Sequence, residues 1–125
     1  YRAPAPDGPV PDGPAPDVGY YLLGHAPAPM PWSTEWIRWP DLRLPSDRPG
    51  ALRSVIQAFD RCPTGRVEIA CDGGRGRTGC ALAVLAVLGG IPRSEAVEWV
   101  RTHYHPGAVE TPWQRRWIER LDLTR

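Results

Sequence analysis

Apolar positions along this chain come in short clusters separated by proline- and glycine-rich stretches, and the spacing within the clusters changes from strand-like to helix-like. Val18 to Leu23 is a short apolar run that predicts a first core strand. Trp36 to Trp39 predicts a second, with Ile37 and Trp39 on one face and Trp36 and Arg38 on the other. Ser46 or Asp47 before Arg48-Pro49 marks a helix start, since proline is tolerated in a first turn. Leu52, Val55, Ile56 and Phe59 then share one helical face. Cys62-Pro63-Thr64-Gly65 reads as a turn, and Val67 to Cys71 as a short buried strand. A helix from Arg77 to Leu88 stops at Gly89-Gly90, as a left-handed C-cap would. Two more helices, Pro92 to Tyr104 and Pro112 to Leu123, complete the pattern, the last with Trp113, Trp117, Ile118 and Leu121 as its inward stripe. The order predicts an α/β domain over 18–125: a small, mostly parallel twisted sheet flanked by helices. Residues 1–17 hold six prolines and a Pro-Asp-Gly-Pro unit repeated at a spacing of five. They predict a flexible, extended N-terminal segment.

The densest chemistry lies between the third strand and the helix after it. Val67-Glu68-Ile69-Ala70 runs into Cys71, and Asp72-Gly73-Gly74-Arg75-Gly76 then leads to Arg77-Thr78-Gly79. Gly73, Gly74 and Gly76 let the backbone take unusual conformations, so successive N–H groups can converge on one concave point. The helix starting near Arg77 aims the positive end of its dipole at the same point. A cysteine held there is favoured as thiolate, and an arginine fork matches two oxygens of a tetrahedral oxyanion. Nucleophile and anion cradle together predict covalent transfer of a phosphoryl-like group. Gly74-Arg75-Gly76-Arg77-Thr78-Gly79 also satisfies a dinucleotide-binding pattern. That fingerprint needs a second strand ending in an acid about twenty residues on, whereas Glu95 and Glu98 fall in a helical pattern.

Composition narrows the function further. The 125 residues leave room for one domain, and the net charge of +1 gives no reason to expect nucleic acid or an anionic membrane as partner. All fifteen basic residues are arginine, which removes any lysine-based mechanism. Three cysteines make no disulfide framework, and no apolar segment is long enough to span a bilayer, so a cytoplasmic protein is expected. His103 and His105 stand two apart and share no helical face, and His25 and Met30 sit in a proline-broken loop. No metal and no cofactor is expected.

Cys71, five residues, Arg77 and Thr78 resemble the Cys-x5-Arg-Ser/Thr signature of cysteine-dependent protein tyrosine phosphatases, with Gly74 on the signature's internal glycine. Trp39-Pro40-Asp41-Leu42-Arg43-Leu44-Pro45 is similar to the family's Trp-Pro-Asp acid loop, and it precedes the cysteine as in the family. The resemblance implies the tyrosine-phosphatase fold in a short version and a phosphotyrosine-containing protein or other phosphate monoester as substrate. It also implies roles: Cys71 as nucleophile, Asp41 as general acid and base, Thr78 donating its hydroxyl to the Cys71 sulfur, and Gln114 positioning the hydrolytic water. Arg77 and the backbone of Asp72, Gly73, Gly74, Arg75, Gly76 and Arg77 would bind phosphate. Ala70 departs from the family, which usually has histidine before the cysteine. No tyrosine-clamping recognition loop is evident, so the loop from Gly24 to Trp32 would have to serve.

Each role has a plainer rival. Asp47 competes with Asp41 but has a ready task as a helix N-cap. Thr111-Pro112-Trp113-Gln114 is a capping box, which would occupy Gln114 structurally. The Asp72 carboxylate, unwelcome beside a dianion, is expected to point away, onto a nearby arginine. Two other function classes use the same loop: a thiol-redox arsenate reductase pairing Cys71 with Cys80 or Cys62, and a phosphopeptide-binding module without turnover.

Overall fold

A computed structural model describes residues 15–72 and 75–121. Three strands and four helices alternate as β1 (Val18–Leu23), β2 (Ser33–Arg38), α1 (Arg48–Arg61), β3 (Val67–Ala70), α2 (Gly76–Leu88), α3 (Arg93–His103) and α4 (Pro112–Glu119). The sheet has the order β2-β1-β3 and is parallel throughout. The expected proline-rich segment lies, up to residue 14, outside the described residues. Asp17 is already part of the fold, because its N–H donates to the Arg66 carbonyl at 2.8 Å and its carboxylate accepts the Arg66 N–H at 2.7 Å.

The helices bury their apolar faces on one side of the sheet. Val18, Tyr20, Leu22, Ile37, Trp39, Val67, Ile69 and Cys71 share a single core with residues of α1, α2 and α3 and with Ile118 of α4. The opposite face, with Tyr21, Leu23 and Ala70, is packed by Met30 instead. A parallel pair normally needs a helical crossover, but only residues 24–32 join β1 to β2. Nine residues can return along a six-residue strand only if nearly extended, at about 3.3 Å each. Pro27, Pro29 and Pro31 favour that shape, so this segment takes the place of a helix. Trp32 anchors it by donating its indole N–H to the Tyr21 hydroxyl at 2.7 Å, and that hydroxyl donates to the buried Glu68 carboxylate at 2.8 Å.

Local signals account for the helix ends. Asp47 caps α1 by accepting the Gly50 N–H at 3.0 Å. Beyond α2, Gly90 rather than Gly89 takes the left-handed turn, at φ 112°. Gly90 N–H then donates to Val87 and Ile91 N–H to Ala86, closing the helix in a Schellman motif. Three expectations need correcting. β2 starts at Ser33, three residues earlier than the apolar pattern suggests, because the whole of β1 pairs with it, from Val18 with Ser33 to Leu23 with Arg38. On α1 the deepest residues are Ala51, Val55 and Ala58, with Leu52, Ile56 and Phe59 only half-buried. On α4 the inward face is Gln114, Trp117 and Ile118, continued by Leu121 just beyond the helix, and Trp113 stands 52% exposed.

Candidate active site

All three strands run the same way, so the loops that follow them meet at one edge of the sheet, the place where parallel α/β folds gather their ligands. β3 delivers Cys71, 1% exposed, to that edge. α2 follows, and within its first turn the Thr78 hydroxyl donates to the Cys71 Sγ at 2.9 Å. Both groups are buried, so the sulfur has a fixed donor and little water. The Glu110 carboxylate lies against the start of α2, where a Cβ on Gly76 would have to displace it.

Arg77 is not the exposed helix-start arginine that a plain surface reading would give. It is 4% exposed, and its Nη1 donates to the Trp39 carbonyl at 3.0 Å. Its Nε lies 3.7 Å from Asp41 Oδ1, within ion-pair reach but beyond a hydrogen bond. Among the described residues Nε is a buried donor without an acceptor. Such a group is unfavourable in the free protein by about 1–3 kcal/mol, and an oxyanion in front of it would remove that cost.

Asp41 projects from a turn closed by Arg43 N–H on the Pro40 carbonyl at 3.2 Å. Its Oδ1 accepts the Leu42 N–H at 3.0 Å, and Oδ2 has no partner among the described residues. Leu42 sits at φ 59°, a left-handed conformation that an L side chain adopts at a cost. Three side chains hold the turn from behind. Trp113 Nε1 donates to the Leu42 carbonyl at 2.7 Å, Gln114 Nε2 to the Arg43 carbonyl at 3.0 Å, and the buried Trp39 Nε1 to the same Arg43 carbonyl at 2.6 Å. The Trp39 ring is seated edge-on against Trp117, with centroids 5.7 Å apart.

The structure therefore brings Cys71, Thr78, Arg77 and Asp41 together. Asp72 and Arg75 stand exposed on either side of the loop, Gly76 opens α2, and Gly73 and Gly74 lie outside the described residues. Gln114 is fully buried behind the Asp41 turn. Its Oε1 accepts the Glu110 and Thr111 N–H groups at 3.0 and 3.2 Å, while the Thr111 hydroxyl accepts the Gln114 N–H, so both halves of the capping box form. Asp47 is committed to capping α1. Cys80 is buried in α2, and burial first, then Cys71 and Glu110, push its thiol far above the ordinary range. Cys62 is exposed at the C-cap of α1, before β3 begins and so toward the other end of the sheet.

The expectation for Asp72 is corrected in its partner. The carboxylate faces His25 Nε2 at 3.5 Å, not an arginine. Glu110 and Trp113 were missed as members of this region, and His25 was read only as part of the loop from Gly24 to Trp32. His25 follows the central strand β1, and the C-terminal end of a strand beside β3 was the one available signal. Glu110 and Trp113 arrive from far along the chain, with no local pattern to announce them.

A family model for the protein-tyrosine phosphatases matches residues 26–114, well over half of the chain. Over 52 residues, 42% of its length, the chain is 46% identical to the uncharacterized protein MJ0215 of Methanocaldococcus jannaschii, of which it covers 31%. Among solved structures it is similar to Tk-PTP, captured in a crystal structure of its active form, at a TM-score of 0.62 and 25% identity, over 84% of this chain and 80% of that one. With the match spanning both the Asp41 turn and the Cys71 loop, the chain belongs to the protein-tyrosine phosphatase family.

Proposed function

We propose that this protein hydrolyses phosphotyrosine-type phosphate monoesters through a cysteinyl-phosphate intermediate. The observation that carries the reading is the buried pair of Thr78 Oγ1 on Cys71 Sγ beside an Arg77 whose Nε has no acceptor among the described residues. A nucleophile with a hydroxyl donor stands next to a buried cation short of an oxygen partner. The Cys71 thiolate attacks phosphorus, the Sγ–P bond forms, and the bond from phosphorus to the leaving oxygen breaks. That oxygen takes the proton of Asp41 and departs as a phenol. Water then attacks phosphorus as Asp41 takes its proton, the Sγ–P bond breaks, and phosphate and the thiolate are released. Thr78 stabilises the sulfur anion at both ends of the cycle. Arg77 and the N–H groups at the start of α2, with Asp72 to Gly76 leading into it, hold the three non-bridging oxygens.

Two features refine the roles. Gln114 has all its amide atoms on backbone partners, which supports a part in holding the Asp41 turn over one in orienting water. Asp41 is supported over Asp47 by its place 3.7 Å from Arg77. The redox reading gains nothing from the geometry, because Cys80 is buried and held protonated and Cys62 lies toward the far end of the sheet. No helix among the described residues is long and apolar enough to cross a membrane, and a cytoplasmic site of action is part of the proposal.

The test is hydrolysis of p-nitrophenyl phosphate and of a phosphotyrosine peptide by the wild type, Cys71→Ser, Asp41→Ala and Asp47→Ala, with chelator present. Turnover should vanish in Cys71→Ser, fall about 10²–10⁴-fold on the peptide in Asp41→Ala, and survive in Asp47→Ala. Full activity in Cys71→Ser would overturn the mechanism. Binding of phosphotyrosine without turnover in the wild type would make the domain a reader.

A further inference from the structure

We infer that Trp113 is a positioning residue for Asp41: its indole N–H, together with the Gln114 amide, fastens the Asp41 turn to the first turn of α4 and holds the carboxylate over Arg77 before substrate arrives. The inference rests on the phosphatase reading, in which Asp41 is the acid.

Backbone bonds hold the base of the turn, Ser46 N–H on the Arg38 carbonyl at 3.0 Å and Arg43 N–H on the Pro40 carbonyl at 3.2 Å, and side chains hold its tip. The Leu42 side chain is 46% exposed, so burial does not compensate its left-handed backbone, and a strained residue persists only when its surroundings over-determine it. Here the surroundings are three N–H donors on two consecutive carbonyls, those of Leu42 and Arg43, immediately after Asp41. The direction of the Gln114 donor is fixed by its own network. With Oε1 taken by the Glu110 and Thr111 N–H groups, Nε2 must face Arg43. Trp113 makes no comparable sense as core. A half-exposed indole on a short amphipathic helix would be an ordinary surface residue, except that its N–H reaches a carbonyl 71 positions away at 2.7 Å. Because α4 starts at Pro112 under a complete capping box, the two donors are carried by a rigid first turn. A general acid must meet the leaving oxygen within a few tenths of an ångström, and a displacement of about 1 Å costs up to 10²-fold in rate.

The experiment compares Trp113→Phe, which keeps the ring and removes the N–H, with wild type, Asp41→Asn and the double variant. The constant compared is kcat/KM, which covers only the steps up to the cysteinyl-phosphate and so leaves out the base role of Asp41; it is read on phenyl phosphate, whose leaving group needs a proton, and on 2,4-dinitrophenyl phosphate, whose leaving group does not. Losing one hydrogen bond should lower kcat/KM on phenyl phosphate about 5-fold, with kcat/KM on the dinitrophenyl ester affected less than about 2-fold. In the Asp41→Asn background the substitution should add nothing on either ester. An equal loss on both esters, or full additivity with Asp41→Asn, would overturn the positioning role and leave the phosphatase reading standing. If Asp41→Asn itself lowers both esters alike, Asp41 is not the acid and both inferences fall together. Trp113 is on the surface, so the variant should melt with the wild type, and a large drop in melting temperature would count for a structural role instead.

Discussion

Arg77→Lys separates binding from folding at one residue. The substitution keeps the positive charge but removes Nε and the planar fork. In the free protein Arg77 Nη1 is bonded to the Trp39 carbonyl, whereas Nε is buried without an acceptor among the described residues. Removing Nε therefore relieves a desolvation penalty of about 1–3 kcal/mol, while losing the Trp39 bond costs about 1 kcal/mol. These nearly cancel, and the melting temperature should move by a few degrees at most. Binding has no such compensation. A charge-assisted bond from Nε to an oxyanion contributes about 1.5–3 kcal/mol, so inorganic phosphate or orthovanadate should bind about 10- to 150-fold more weakly to the variant. Competitive inhibition of p-nitrophenyl phosphate hydrolysis gives the affinity ratio, and calorimetry with tungstate gives it again if turnover is too slow. Unchanged oxyanion affinity in Arg77→Lys would refute the assignment of Nε to the ligand. So would a variant that unfolds outright, because Arg77 would then be a structural cation first.

Two further outcomes follow from packing and titration. In Gly79→Ala the new Cβ would stand 2.6 Å from the Ala108 Cβ and 2.9 Å from its Cα, so backbone must shift, at about 1–3 kcal/mol. Calorimetry should show melting lowered by several degrees, and a variant as stable as wild type would mean that α2 and the 105–111 segment are less tightly apposed than described. Cys80 gives a pH dependence with a definite sign. Its thiol is raised by burial above the ordinary value of 9.0, so the unfolded chain loses this proton first as pH rises. Stability is intact below that value and should decline above it by about 1.4 kcal/mol per pH unit from this group. Melting temperatures from pH 8 to 10.5 should fall less steeply in Cys80→Ala than in wild type, and identical slopes would contradict the burial argument.

How far the sequence could be read depended on how local each feature is. Cys71, Arg77 and Thr78 lie within one strand-loop-helix passage, so the Thr78–Cys71 bond was legible from spacing and family resemblance together. The Asp41 turn was legible as a motif, but what holds it was legible only for Trp39, because the other two donors come from α4, some 70 positions on. The α4 stripe shows why. Positions 114, 117, 118 and 121 carry the better helical spacing, but the first of them is glutamine, and an eight-residue helix offers too few turns to choose between registers. Apolarity favoured Trp113, whereas the capping box drew Gln114 inward. Likewise Ser33-Thr34-Glu35 carries no strand signal of its own and is in β2 because β1 has an edge to pair. The meeting of His25 with Asp72 follows only from strand order, which no single stretch of sequence encodes.

The sheet contains no hairpin, and that has a consequence for the order of assembly. Val18 must wait for Val67, 49 positions later, and Leu42 for Trp113. Chains of such non-local pairings fold slowly, since loop closure precedes the contacts that reward it. During synthesis at about 5–20 residues per second, some 2–8 s separate the addition of Cys71 from that of Trp113. Through that interval Cys71 stands on an unfinished chain, before the Asp41 turn has its donors from α4. Completion of the last helix, not of the strand that carries the sulfur, is what closes that window.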